Sequence, residues 1–268
     1  MKKKRLIPVL LLKNGWIVQS KSFTRHKNLG NPITAVKRLS QWASDELIYL
    51  DISTTGSYDL RRDDLNHPNR SNLLEIISDV SKETFMPITV GGGIKNLSDI
   101  EVRLSSGADK IAINTEAFRN PKIINEAAKE FGSQCIVVSI DFEEISGKNL
   151  VVINSGSETT ELSVTNWCSK VEELGAGEIL VNSTTRDGLG GGYNLDVLSQ
   201  ITEKLKIPVI AQGGVGKWDH FGEALSNTNV DAVAAANIFH FYDQSVFIAK
   251  RWLFENGFNV RKPELFNS

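Results

Sequence analysis

An aspartate, Asp141, closes the β-branched run Cys135-Ile-Val-Val-Ser-Ile-Asp141. A carboxylate at the end of a buried strand is placed to act as a general acid or base. The second half of the chain echoes the first, and the counterpart run Leu6-Ile-Pro-Val-Leu-Leu11 ends instead on leucine. Glycine-rich motifs, by contrast, come twice. Pro87-Ile-Thr-Val-Gly-Gly-Gly-Ile-Lys95 matches Pro208-Val-Ile-Ala-Gln-Gly-Gly-Val-Gly216, and Asp109-Lys-Ile-Ala-Ile-Asn114 matches Asp231-Ala-Val-Ala-Ala-Ala-Asn237. Gly93 with Asn114 and Thr115 can offer backbone N–H groups and short polar side chains to one phosphate. Gly213 and Gly214 with Ala236 and Asn237 can build a second, joined by Asp187 and Gly188 from the Arg186-Asp-Gly188 run. The bland alternative is a set of tight turns that need positive φ. Two phosphate sites half a chain apart imply an elongated, bis-phosphorylated small molecule. The proton-handling acid therefore occurs once and the anion-binding apparatus twice.

A second constellation stands at the opposite ends of the strands. Arg5, Glu46, Lys110 and Glu178 each begin a strand and alternate in sign. They read either as a salt-bridge ring closing a floor or as a gate that admits a small polar molecule. Spacing alone favours the floor.

Positioning these groups takes a repeated strand–helix unit. Apolar strands are expected at 5–11, 47–52, 86–91, 109–114, 135–141, 178–182, 207–212 and 231–236, continuous enough to be covered on both faces. Amphipathic helices are expected at 32–44, 70–84, 97–107, 120–131, 164–175, 194–205, 217–226 and 243–256. Asn31, Asn120 and Asn194 suit helix starts, and Gly107, Gly132 and Gly175 suit helix ends. Eight such units in two similar halves point to a (β/α)₈ TIM barrel with a two-fold half-barrel repeat, one domain over 1–268. A doubly wound open sheet alternates the same way, but no Gly-x-Gly-x-x-Gly follows the first strand. Two segments exceed the minimal unit: a charged loop at 53–70, and 142–163, expected to form a hairpin turning at Ser146-Gly-Lys148. Both follow strands and so belong on the face where barrel active sites lie.

Composition sets bounds. The chain has 268 residues and a formal charge of −2, which gives no reason to expect nucleic acid or an anionic membrane as partner. No apolar run approaches the ~20 residues of a spanning helix. Met-Lys-Lys-Lys-Arg5 lacks the apolar stretch and cleavage site of a signal peptide. A cytoplasmic location follows as an expectation, with Cys135 and Cys168 as reduced thiols. His26, His67, His220 and His240 have no metal spacing, so no metal and no cofactor are expected.

These residues resemble the HisF family, the cyclase subunit of imidazole glycerol phosphate synthase, from Arg5 to Arg261. The motifs that carry the likeness are Asp45-Glu-Leu-Ile-Tyr-Leu-Asp51, Val90-Gly-Gly-Gly-Ile94, Gly107-Ala-Asp-Lys-Ile-Ala-Ile-Asn-Thr115, Phe131-Gly-Ser-Gln134, Gly175-Ala-Gly-Glu-Ile-Leu180, Arg186-Asp-Gly188, Gly216-Lys217 and Phe239-His-Phe241. The resemblance implies a barrel that docks a HisH-like glutaminase on its strand-start face. It implies that ammonia passes a charged gate, here Arg5, Glu46, Lys110 and Glu178, and attacks a bis-phosphorylated substrate at the top. The resemblance thus shifts the four charges from floor to gate. It also implies two catalytic aspartates, of which Asp141 matches one and Leu11 replaces the other. Further departures are Gln19 for a lysine, Gln212 for a serine, Asn182 for a threonine, Asn194 for an aspartate, Asn237 for a serine, and a rewritten loop 53–70.

The expected function is a HisF-type subunit of a glutamine amidotransferase complex with ring closure weakened at Leu11. On the pattern of divergent HisF-like proteins, its ammonia would pass to an ATP-dependent sugar amidotransferase making acetamidino sugars for surface polysaccharide. The alternatives are a working imidazole glycerol phosphate synthase subunit, its missing acid replaced by Asp51, Asp141 or water, and a non-catalytic docking scaffold. A sugar isomerase with the same two phosphate sites is the weakest, because the gate charges argue against it.

Overall fold

The computed structural model describes residues 2–21, 23, 25–53, 58, 60, 63–64, 67–240 and 244–265. Eight parallel strands close on themselves: β1 (Arg5–Lys13), β2 (Leu47–Asp51), β3 (Ile88–Gly91), β4 (Lys110–Ile113), β5 (Ile136–Ile145), β6 (Glu178–Ser183), β7 (Val209–Gln212) and β8 (Ala232–Ala235). The ring is completed by β8 on β1, with Ile7 opposite Ala234. Each strand is followed by a helix: α1 (Pro32–Gln41), α2 (Leu73–Lys82), α3 (Leu97–Ser105), α4 (Lys122–Phe131), α5 (Val164–Glu173), α6 (Leu195–Thr202), α7 (Asp219–Asn227) and α8 (Ser245–Glu255). This is the (β/α)₈ barrel, not the open sheet.

Alternation along each strand sorts side chains into two cores. The outer one, between sheet and helices, includes Leu6, Leu10, Leu12, Leu47, Tyr49, Val138 and Val181. The inner one fills the barrel with Ile7, Val9, Ile48, Ala112, Val137, Leu180, Ile210, Ala232 and Ala234, and Leu11, Leu50 and Ala236 pack on it from above. Local chemistry sets the helix ends. Asn31 and Asn194 cap α1 and α6, accepting from the N–H groups of Ile33 at 2.8 Å and Val197 at 3.2 Å. The exchange at Asn194 thus keeps its cap, which an aspartate would serve equally. The Asn120-Pro121 pair does mark a helix start, with Pro121 as the N-cap of α4, while Asn120 also ends a short helix at Thr115–Arg119.

Two extensions were incompletely read from sequence. After β1 the chain folds into antiparallel strands Trp16–Lys21 and Arg25–Gly30. These strands carry Lys21, Arg25, His26 and Lys27 and lack the apolar alternation that marks a strand. After β5 the turn falls at Ser146-Gly147, as expected, but Glu158–Ser163 adds a third strand beyond Lys148–Ile153. The half-barrel repeat therefore includes its insertions. Half of the loop 53–70 lies outside the described residues, as does Phe241. Among the described residues, no helix is long and apolar enough to cross a membrane.

Candidate active site at the barrel mouth and charged ring at its floor

At the strand starts, Arg5, Glu46, Lys110 and Glu178 meet in one closed ring. Arg5 Nη1 donates to Glu46 Oε2 at 2.7 Å, and its Nη2 donates to Glu178. Lys110 Nζ lies 3.0 Å from Glu46 Oε1 and 2.8 Å from Glu178 Oε2. Each cation bridges both carboxylates. The carboxylate side chains are 2% and 6% exposed, against 25% and 21% for the cations. Solvent thus reaches the ring through the cations alone. Thr89 donates to Glu46 Oε1 at 2.7 Å, satisfying the acceptor that faces the bore. Burial works to lower the Arg5 pKa, but the pairing with Glu178 and Glu46 wins, and the net shift is upward. Four mutually compensated charges thus close the strand-start end of the barrel, below a largely apolar inner core. Phe85, on the same face just before β3, is wholly exposed.

At the strand ends, Asp141 is buried on the inner side of β5. Asn114 Nδ2 and Asn182 Nδ2 donate to its two oxygens, each at 2.8 Å. Burial raises its pKa, and the two amide donors oppose the rise. Asp187, after β6, is pushed up to about 7 by burial and by the nearby Asp141 charge. Asp187 thus still holds its proton near neutrality beside a buried carboxyl that is itself shifted upward, a pair suited to acid–base work.

Leu11 points inward. It pairs with Leu50 in register and packs with Leu50 and Ala236 over the inner core. The substitute carboxylate Asp51 lies on the other face of β2. Tyr58 donates to its Oδ2 at 2.7 Å and the Ser53 N–H to its Oδ1 at 2.9 Å, so Asp51 does not stand in for the missing acid. Asp51 instead raises the Tyr58 pKa, in second place to burial. The carboxylate side of the mouth is intact, and hydrocarbon faces it.

The phosphate-type residues are brought together, but their side chains are employed differently from expectation. Gly92, Gly93, Gly213 and Gly214 have φ of 110°, 63°, 94° and 98°. The turn requirement therefore holds at all four glycines. Asn114 spends its amide on Asp141, and Thr115 Oγ1 accepts from Asn154 N at 3.0 Å, so the first site is left to backbone N–H groups and the Thr115 hydroxyl proton. Asn237 Nδ2 donates to Ser20 O at 2.6 Å, which ties the first hairpin over the second site. A Cβ on Gly188 would stand 2.9 Å from that same Ser20 oxygen, so the glycine permits the closure. Sequence reasoning missed this link because Ser20 lies in a hairpin with no signature. It also missed Arg103, which donates to Gly92 O at 2.9 Å and braces the first glycine turn from α3. His240 is held down to about 4 by burial and Arg38, a structural neutral imidazole.

A family profile described as histidine biosynthesis protein matches residues 5–245. The chain is 41% identical over 260 residues to the imidazole glycerol phosphate synthase subunit HisF of Clostridium botulinum (strain Okra / Type B1), covering 96% of this chain and 98% of the relative. It is 38% identical over 258 residues to the subunit of that name from Flavobacterium johnsoniae, with 96% and 98% covered.

Proposed function

The chain belongs to the HisF family of histidine biosynthesis proteins, and on that premise we propose that it is the ammonia-using subunit of an imidazole glycerol phosphate synthase. The observation that carries the reading is the closed four-charge ring at the floor of an apolar bore whose mouth holds Asp141 and Asp187. A glutaminase docked on the strand-start face, where Phe85 offers an apolar anchor, would release ammonia at Arg5 and Lys110. Local opening of one ion pair admits it. The axis then delivers it to a substrate whose terminal phosphates rest on the paired glycine turns. Asp141 and Asp187 move the protons of addition and ring closure.

Leu11 favours a second reading. With hydrocarbon where proton chemistry needs a carboxyl, the barrel serves as a conduit, and ammonia goes to another acceptor. An N-acetyl sugar activated by an ATP-dependent amidotransferase, as in acetamidino-sugar formation, fits that role.

One experiment separates them. The purified protein is assayed with ammonia and the bis-phosphorylated histidine-pathway intermediate, and its gene is introduced into a cyclase-deficient histidine auxotroph. Turnover and growth support the synthase. No turnover, together with glutamine-driven amidation of a sugar that depends on Lys110, supports the conduit. If replacing Lys110 or Arg5 by alanine leaves glutamine-driven amidation and ammonia leakage unchanged, both readings fall and a docking scaffold remains.

A further inference from the structure

We infer that the barrel mouth carries a subsite for ammonia or ammonium, formed by the amide oxygens of Asn182 and Gln212 beside the Asp141 carboxylate. The inference deepens the proposed function and rests on its reading of the bore. Asn182 and Gln212 are register partners on β6 and β7, so their side chains share the inner face. They are 4% and 8% exposed. Asn182 Oδ1 and Gln212 Oε1 are both buried without a hydrogen-bond partner.

The orientation of Asn182 is fixed by its hydrogen bond: the amide nitrogen donates to Asp141 Oδ1 at 2.8 Å, and the amide oxygen faces away. A buried acceptor left unpaired costs about 1–3 kcal/mol. Native interiors rarely leave such groups without a partner. Here two occur on adjacent strands, above the apolar wall of Leu180 and Ile210. The side-chain amides of Asn114 and Asn182 are both spent on Asp141. The spot therefore offers unpaired acceptors beside a carboxyl group, which disfavours a phosphate and suits a small molecule that brings several N–H donors. The family's threonine and serine at these two positions would carry hydroxyls, which can turn and donate to a backbone carbonyl. An amide oxygen cannot, so the exchange converts self-satisfying groups into acceptors. Gly213 lies at the same point: a Cβ there would stand 2.7 Å from Asn182 Oδ1. Ammonia arriving along the axis meets this pair before it meets the substrate.

The test uses the full chain without partner or turnover. Crystals are soaked in thallium(I) acetate, whose ion matches ammonium in charge and size, and anomalous maps are read with and without competing ammonium chloride. A peak coordinated by Asn182 Oδ1 and Gln212 Oε1 is expected, displaced by ammonium but not by tetramethylammonium. Losing one charge-assisted bond in Gln212→Ser should weaken binding about tenfold. Gln212→Met, which keeps the volume and removes the oxygen, should do the same. The inference is overturned by no peak at the pair, by a peak indifferent to ammonium or to both substitutions, or by density showing Gln212 Nε2 donating to Asn182 Oδ1. A peak in a protein whose gate variants deliver ammonia normally would refute the route through the floor while leaving the subsite. Delivery that depends on the gate without any peak would do the reverse.

Discussion

Leu11→Asp is the substitution that most directly tests what the barrel mouth lacks. Residue 11 faces inward over Leu50 and Ala236, across the bore from the buried Asp141. A carboxyl there supplies the second proton handler. One positioned acid or base is worth about 10²–10⁴-fold in rate. That corresponds to about 3–5 kcal/mol of barrier at 1.36 kcal/mol per decade. The stability cost has the opposite sign. Leu11 is half-buried, so removing it forfeits about 1–2 kcal/mol of apolar burial. For a chain of this size that lowers Tm by roughly 2–8 °C. The new carboxyl shares the barrel mouth with Asp141 and Asp187, so the three titrate together and the last proton leaves only well above the usual carboxylate range. The assay is ammonia-dependent conversion of the bis-phosphorylated intermediate, followed by ultraviolet absorbance from pH 6 to 9, with circular dichroism to establish folding. A folded variant that binds phosphate yet gains less than about threefold in rate would refute the argument, because a barrier set by the missing acid must fall when it is restored.

Other expectations follow from the floor, the mouth and the turns. Glu178→Gln strands Arg5 and Lys110 on a single carboxylate; losing one partner of a buried pair typically costs about 3–5 kcal/mol. Glutamine-driven product should fall while product from added ammonia is retained, as read by parallel assays of the partnered complex. Asp187, held at about 7 by burial and Asp141, keeps a proton between pH 4 and 7 that the unfolded chain has lost. Its contribution to stability is therefore fully present below about 4 and is lost as pH rises through 7. Asp187→Asn should flatten that decline by up to about 1.4 kcal/mol per pH unit at its steepest, measured by urea unfolding across the window. Gly214→Ala places a Cβ 2.3 Å from Gly192 O at a φ of 98°. The left-handed backbone alone costs about 1–2 kcal/mol, and isothermal titration with inorganic phosphate should show weakened binding at that turn.

Much of the barrel was legible along the chain. Eight apolar runs alternate with eight amphipathic ones, and the half-chain echo of glycine pairs points to two similar halves, which favours the closed barrel that the strand pairing shows. The loss of an acid at position 11 was equally visible, since a leucine at a strand end needs no coordinates to be recognised as inert. Residue types and strand phase are local properties, and local patterns report them. Partner choice is not local. Only the closed structure decided that Asn114 holds Asp141 rather than a phosphate, that Asp51 faces Tyr58 instead of the bore, that Asn237 ties down Ser20, and that two amide oxygens are left unpaired at the mouth. Each of these joins residues far apart in the chain, or depends on which face of a strand a side chain takes once the ring has closed. Strand pairing around the whole circumference fixes both, and no stretch of sequence contains that circumference.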